Sequence, residues 1–172
     1  MEEIEIPTEH LHETIHEKVA EGSKEKEGSW NMYVAISTAL IAVLAAISGL
    51  MAGHHSNEAL IQQIKASDQW AYYQAKGIKA EIRTLSNNNI QDKEAIERYK
   101  KEQETIKQKA ESAEKESDKH LAHHVLLASS VTLFQIAIAG SAIAILTKKK
   151  ILWYGSLLVA AIGAIFFILG LI

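Results

Sequence analysis

A chain of 172 residues that is 48% hydrophobic and 23% charged, with the two classes in separate blocks, has the distribution of a membrane protein, not of a water-soluble domain. The absence of cysteine excludes disulfides, thiolate metal centres and a cysteine nucleophile. A formal net charge of -3, from 18 basic and 21 acidic residues, leaves no electrostatic footprint for nucleic acid.

Residues 1–30 form an acidic, His-rich tail, with 9 Glu against 3 Lys before Trp30. The tail lacks the basic start and short apolar core of a cleavable signal, so the first span reads as an uncleaved signal-anchor. Thr8 after Pro7 is a suitable N-cap, Gly22 a suitable stop, and Leu11, Ile15 and Val19 lie on one stripe, which predicts a short amphipathic helix. Within it, His12-Glu13-Thr14-Ile15-His16 matches the pattern in which two His one helical turn apart bind zinc and a Glu activates water. A His- and Glu-rich segment produces this match readily by chance, and nothing nearby would build a substrate cleft. A solvated helix face is therefore the preferred reading, with metal binding by His10, His12 and His16 the alternative.

Three windows of 22 uncharged residues follow, 32–53, 125–146 and 151–172. At 1.5 Å per residue each reaches about 33 Å, enough to cross a hydrocarbon core of about 30 Å. We divide the chain into transmembrane helix 1 (31–53), an extramembrane hairpin (54–124), transmembrane helix 2 (125–147), a Lys turn (148–150) and transmembrane helix 3 (151–172). Trp30, Tyr33, Trp153 and Tyr154 stand where aromatic belts do. Ala45, Gly49 and Gly53 on the first span, and Ala160, Gly163 and Ala164 on the third, predict faces for close helix packing. Gln135, near the middle of the second span, is costly in lipid unless bonded, so it is expected to point into a bundle. Lys148, Lys149 and Lys150 favour a cytoplasmic turn and tail with the hairpin outside, whereas the acidic tail and four Lys from Lys107 to Lys119 argue the other way.

Between the first two spans lie 12 acidic and 12 basic residues in two helical patterns, broken only at Ser86-Asn87-Asn88-Asn89. A hairpin tip near 86–90 gives equal arms of roughly 33 residues, about 50 Å each at 1.5 Å per residue. Ile61, Ile64, Ala71, Ala75, Ile78, Ile82 and Leu85 occupy alternating a and d positions of a heptad, interrupted by Asp68, and Ile96, Tyr99, Ile106, Ala110 and Ala113 do so on the return arm. The expected fold is thus all-α: three transmembrane helices with a long antiparallel two-helix coiled coil between the first and second.

That pairing sets position 54 opposite 124 and 58 opposite 120. His54, Glu58, His120 and His124 would then converge as possible ligands for zinc or another divalent metal, with His55 and His123 beside the seam. A pH-dependent cluster of imidazoles is a second reading, and the preferred one is plainer: these imidazoles sit partly solvated at the headgroup boundary. Trp70 and Tyr73 share a face with Gly77 that this register leaves exposed, so these three are the expected contact between copies.

Four segments, Pro7-Thr8-Glu9-His10-Leu11-His12-Glu13, Ser29-Trp30-Asn31, Gly53-His54-His55-Ser56-Asn57 and Ser67-Asp68-Gln69-Trp70-Ala71-Tyr72-Tyr73-Gln74-Ala75-Lys76, resemble a prokaryotic family catalogued only as a domain of unknown function. The resemblance covers nearly the whole chain and implies a small protein of the prokaryotic inner membrane with a span-hairpin-span plan. It supplies no activity, cofactor or catalytic residue. The functional expectation is a non-enzymatic, homo-oligomeric membrane scaffold or assembly protein whose partners are lipid, its own copies and possible membrane-protein clients. The alternative is an oligomeric ion pathway or transport accessory, lined by Gln135, Ser130 and Thr132 and gated by the histidines.

Overall fold

The computed structural model describes residues 28–86 and 90–172. The tail helix with His10, His12 and His16, and the centre of the expected tip at 87–89, lie outside the described residues. Three helices make up the described chain: α1 (Gly28–Ser86), α2 (Ile90–Thr147) and α3 (Lys150–Leu171). All three are long and apolar enough to cross a membrane, and there is no strand among the described residues. The helix ends coincide with the breakers in the sequence. α1 stops at Ser86 ahead of the Asn run, and α2 ends before Lys148, which takes the left-handed conformation at φ 55. The Lys148 amide donates to the Ile145 carbonyl, 3.3 Å, and the Leu152 amide to the Lys149 carbonyl, 3.1 Å, so the lysine turn is closed by main-chain bonds.

The chain divides into two compact units. One joins residues 28–49 of α1 with Leu127–Ile172. Its core is Ile41 from α1, Phe134 and Ala137 from α2 and Ala160 from α3, with Leu44, Ala45, Ala164 and Phe167 packed around it. Large aliphatic side chains such as Leu40, Val43, Ile136, Ile143, Leu158 and Ile165 point outward, while Ser48, Ser130, Ser141 and Ser156 are buried. That inversion suits a lipid solvent, in which small and hydrogen-bonding residues hold helices together. Ser141 and Ser156 share a hydrogen bond of 2.8 Å between α2 and α3, and Trp153 Nε1 donates to Ser37 Oγ, 3.2 Å, joining α3 to α1. Ser48 hydrogen-bonds to Ser130 and to the Leu127 carbonyl. The small-residue face of α3 is as expected: a Cβ on Gly163 would lie 3.1 Å from the Phe134 ring. On α1 Ala45 packs on the core, but Gly53 has nothing within 4 Å of where a Cβ would stand, so it is not a point of close approach.

The other unit is Leu50–Leu126. Its contacts run in opposite directions along the two helices, with Ala59 meeting Ser117, Tyr73 meeting Gln103 and Lys76 meeting Glu102. On α2 the buried positions Ile106, Ala110 and Ser117 keep the expected phase. On α1 the phase differs. The buried residues are Ala52, Ala59, Ala66 and Ala80, whereas Ile64, Ile78, Ile82 and Leu85 are 53%, 59%, 59% and 83% exposed. α1 carries two heptad stripes offset by two residues, which at about 100° per residue places them on opposite faces. The alanine stripe faces α2 because small side chains let the backbones approach, and the approach is used. Ser117 Oγ donates to the Ala59 carbonyl, 2.8 Å, His124 Nδ1 to the Ala52 carbonyl, 2.8 Å, and Gln103 Nε2 to the Tyr73 carbonyl, 3.2 Å. Bulky Ile at these positions would hold the helices too far apart for such bonds.

Seam and outer face therefore respond differently to bulk. Ala66→Leu or Ala110→Leu, at positions with no exposed surface, should overpack the unit and cost about 1 to 3 kcal/mol. Ile64→Gln should leave hydrogen exchange of α2 unchanged. Thermal unfolding with hydrogen exchange in detergent checks both, and faster α2 exchange in Ile64→Gln than in Ala66→Leu would return the seam to the isoleucine phase.

Candidate functional site

The seam phase decides which histidines meet. Because Ala52 and Ala59 are its buried positions, the seam residue between them is His55, and His54 turns outward. His55 Nδ1 lies 3.0 Å from His120 Nδ1, and the His55 ring stacks on His123 at 5.0 Å between centroids. His54 meets His55 edge-on at 5.6 Å. His124 Nδ1 carries the proton given to the Ala52 carbonyl, since a carbonyl only accepts, so the lone pair of that ring is on Nε2. His54, Glu58, His120 and His124 are not gathered as a ligand set, and no group of three His, Asp or Glu among the described residues could hold a metal ion. The expected metal quartet is thus corrected by the same rotation of α1 that moved its isoleucines outward.

His55, His120 and His123 form a cluster of contacting imidazoles. The bond between two Nδ1 atoms requires one ring to donate and the other to be neutral there, so protonating both rings breaks it. Burial lowers the His55 pKa from the ordinary 6.5, and charge on His123, His120, His54 and His124 lowers it further. Above the seam midpoint a second polar set crosses it. Lys76 Nζ lies 2.5 Å from Glu102 and within 5.1 and 5.2 Å of the Tyr72 and Tyr99 ring centres. The hydrogen bond to Glu102 raises the Lys76 pKa, and the same bond holds Glu102 below its usual carboxylate range.

Trp70, Tyr73 and Gly77 are turned towards α2. Trp70 Nε1 donates to Glu114, 2.8 Å, Trp70 packs edge-on against Tyr73 at 5.6 Å, and a Cβ on Gly77 would lie 2.8 Å from Gln103 Nε2. The expectation that the hairpin leaves this face open is corrected; its residues lock the register of the Leu50–Leu126 unit instead. A shallow open groove alongside is lined by Gln62, Thr105, Gln108, Lys109, Ser112 and Glu116. In the other unit Gln135 is exposed on the single chain, and its amide forms no hydrogen bond among the described residues. Ser130 is buried and bonded to Ser48 and Leu127, so Ser130 and Gln135 do not line a common path within one chain. Sequence reasoning missed His55 as the central histidine, which follows from helix phase, and composition does not carry phase.

A pKa lowered in the folded state means that the unfolded chain binds the proton more readily, so His55 contributes stability that is complete above about pH 6.5 and is lost as pH falls below it. The unfolding temperature should drop between pH 7.5 and 5.5, and His55→Gln should flatten that slope. Equal slopes in parent and variant would remove His55 from the effect.

No curated protein and no solved structure matches the chain. A family model does, over residues 30–172, which takes in all three spans and the whole Leu50–Leu126 unit. The chain belongs to the family described as Domain of unknown function (DUF4337).

Proposed function

We propose that this protein is a homo-oligomeric integral membrane scaffold or assembly protein, without catalysis of its own, that presents an antiparallel coiled-coil hairpin at the surface of a prokaryotic inner membrane. The observation that carries this reading is Gln135. Its amide stands exposed at the middle of an apolar window, where hydrocarbon offers no partner, and an unpaired amide there costs several kcal/mol. A side-chain amide has both a donor and an acceptor and so complements itself, which makes a neighbouring copy the simplest source of the missing bonds. Lateral assembly then follows from the solvent.

Support for the hairpin comes from the opposed contacts at Ala59, Tyr73 and Lys76 and from the heptad spacing of the buried residues. Three lysines in the short turn at 148–150 favour the cytoplasmic side for that turn and for the chain before α1, with the hairpin on the other side. Because the chain has no cysteine, Lys149→Cys and Ser112→Cys report orientation cleanly. A membrane-impermeant maleimide added outside intact cells should label Ser112→Cys alone, and labelling of Lys149→Cys alone would reverse the assignment.

Light scattering of the detergent-purified protein should give a mass of two or more copies. Gln135→Leu should weaken association by about 0.6 to 2 kcal/mol, whereas Gln135→Asn, which keeps an amide, should retain part of it. A strictly monomeric parent would sink the proposal.

A further inference from the structure

The outer stripe of α1 has no partner in the described chain. Ile61, Ile64, Ile78, Ile82 and Leu85 stand exposed on the face opposite the alanine seam, and with Asp68, Ala71 and Ala75 between them they fall at alternating three- and four-residue spacing. Water-exposed aliphatics in this arrangement are the seam of a second coiled coil, and the seam to α2 does not use them. From them we infer that α1 associates with α1 of other copies, parallel and in register, as the central core of a three- or four-copy assembly with each α2 on its outside. The inference rests on the homo-oligomeric reading above and names its surface and stoichiometry.

Direction, register and number follow from separate observations. Copies inserted with one orientation start α1 from the same membrane surface, so the helices run parallel and each residue meets its own counterpart. In that register the flanking pairs are Leu60 with Lys65, Ser67 with Tyr72 and Gln74 with Lys79, and none sets like charges together. An antiparallel pair would set Lys65 against Lys79 twice. Stoichiometry follows from shape. Isoleucine at both a and d positions, as at Ile61, Ile64, Ile78 and Ile82, disfavours a parallel dimer and suits three or four strands.

Asp68 is the one charge on the strip, at an a position, followed by Ala71 and Ala75. The small residues leave space beside the axis in which the carboxylates stay hydrated, so the ring of Asp68 weakens the core without breaking it. The isoleucines on either side hold the register.

The test uses the full chain in detergent and in lipid nanodiscs. Light scattering should give three or four copies for the parent, a lower mass for Ile61→Glu/Ile78→Glu with unchanged helix content, and tighter association, by tenfold or more, for Asp68→Ile. Under mild oxidation, single variants Ile64→Cys and Ile82→Cys should each cross-link to themselves, and Gln63→Cys, beside the stripe, should not. A monomeric parent would defeat both this inference and the oligomeric reading. An oligomer that survives Ile61→Glu/Ile78→Glu, or that cross-links at Gln63→Cys as well as at Ile82→Cys, would overturn the inference and leave that reading standing. Cross-linking confined to cysteines at Ala71 and Ala75 would mean antiparallel pairing and would also overturn it, as would a mass of two copies.

Discussion

The close approach of α1 and α2 along a seam of Ala52, Ala59, Ala66 and Ala80 is the constraint on which the rest of the Leu50–Leu126 unit depends. Alanine contributes little apolar area, so burial alone would not select this face over one lined with isoleucine. What it provides is proximity. Ser117, His124 and Gln103 reach across to main-chain carbonyls of α1 whose second lone pairs are otherwise idle inside a helix. Each such bond fixes register as well as distance, because a shift of one residue would carry the donor to the wrong carbonyl. Trp70 with Glu114 and Lys76 with Glu102 add further crossings that tolerate one alignment.

A related economy governs the other unit, whose helices are long and apolar enough to cross a membrane. Its large apolar side chains face outward, as suits a hydrocarbon solvent, and packing is left to small residues and hydroxyls. Gly163 admits the Phe134 ring, Ser141 bonds Ser156, and Ser48 bonds Ser130. All of these satisfy polar atoms inside the chain. The exposed Gln135 amide finds no such partner among the described residues, in contrast to the serines around it.

The sequence made the all-helical architecture and the three long apolar helices of the described residues legible, because uncharged windows and the Ser86 to Asn89 break are one-dimensional signals. It also made the phase of α2 legible, since Ile106, Ala110 and Ser117 belong to the only apolar stripe there. On α1 it offered two stripes, and ranking by hydrophobicity chose Ile64 and Ile78 over Ala59 and Ala66. The choice failed because hydrophobicity measures the gain from burial anywhere, whereas the partner on the other side of the seam selects by size. That single rotation propagated to the site: it exchanged His55 for His54, dissolved the His54, Glu58, His120 and His124 set, and turned Trp70, Tyr73 and Gly77 inward. Which face of α2 Gln135 shares with its neighbours was not legible for a similar reason, as a helix that is apolar all round carries no sequence signal of which side meets which neighbour.

Having both stripes gives α1 a division of labour that neither would give alone. The inner face is built from short side chains and directional bonds, which specify one partner, the α2 that follows in the same chain. The outer face is built from branched aliphatics, which gain free energy from any matching surface and gain most from an identical one. In the proposed assembly His55 belongs to the inner face, where burial and the surrounding imidazoles lower its pKa, and the aliphatic stripe belongs to the outer one. Acidification therefore acts on the pairing inside each copy, through His55, and leaves the aliphatic contacts between copies uncharged.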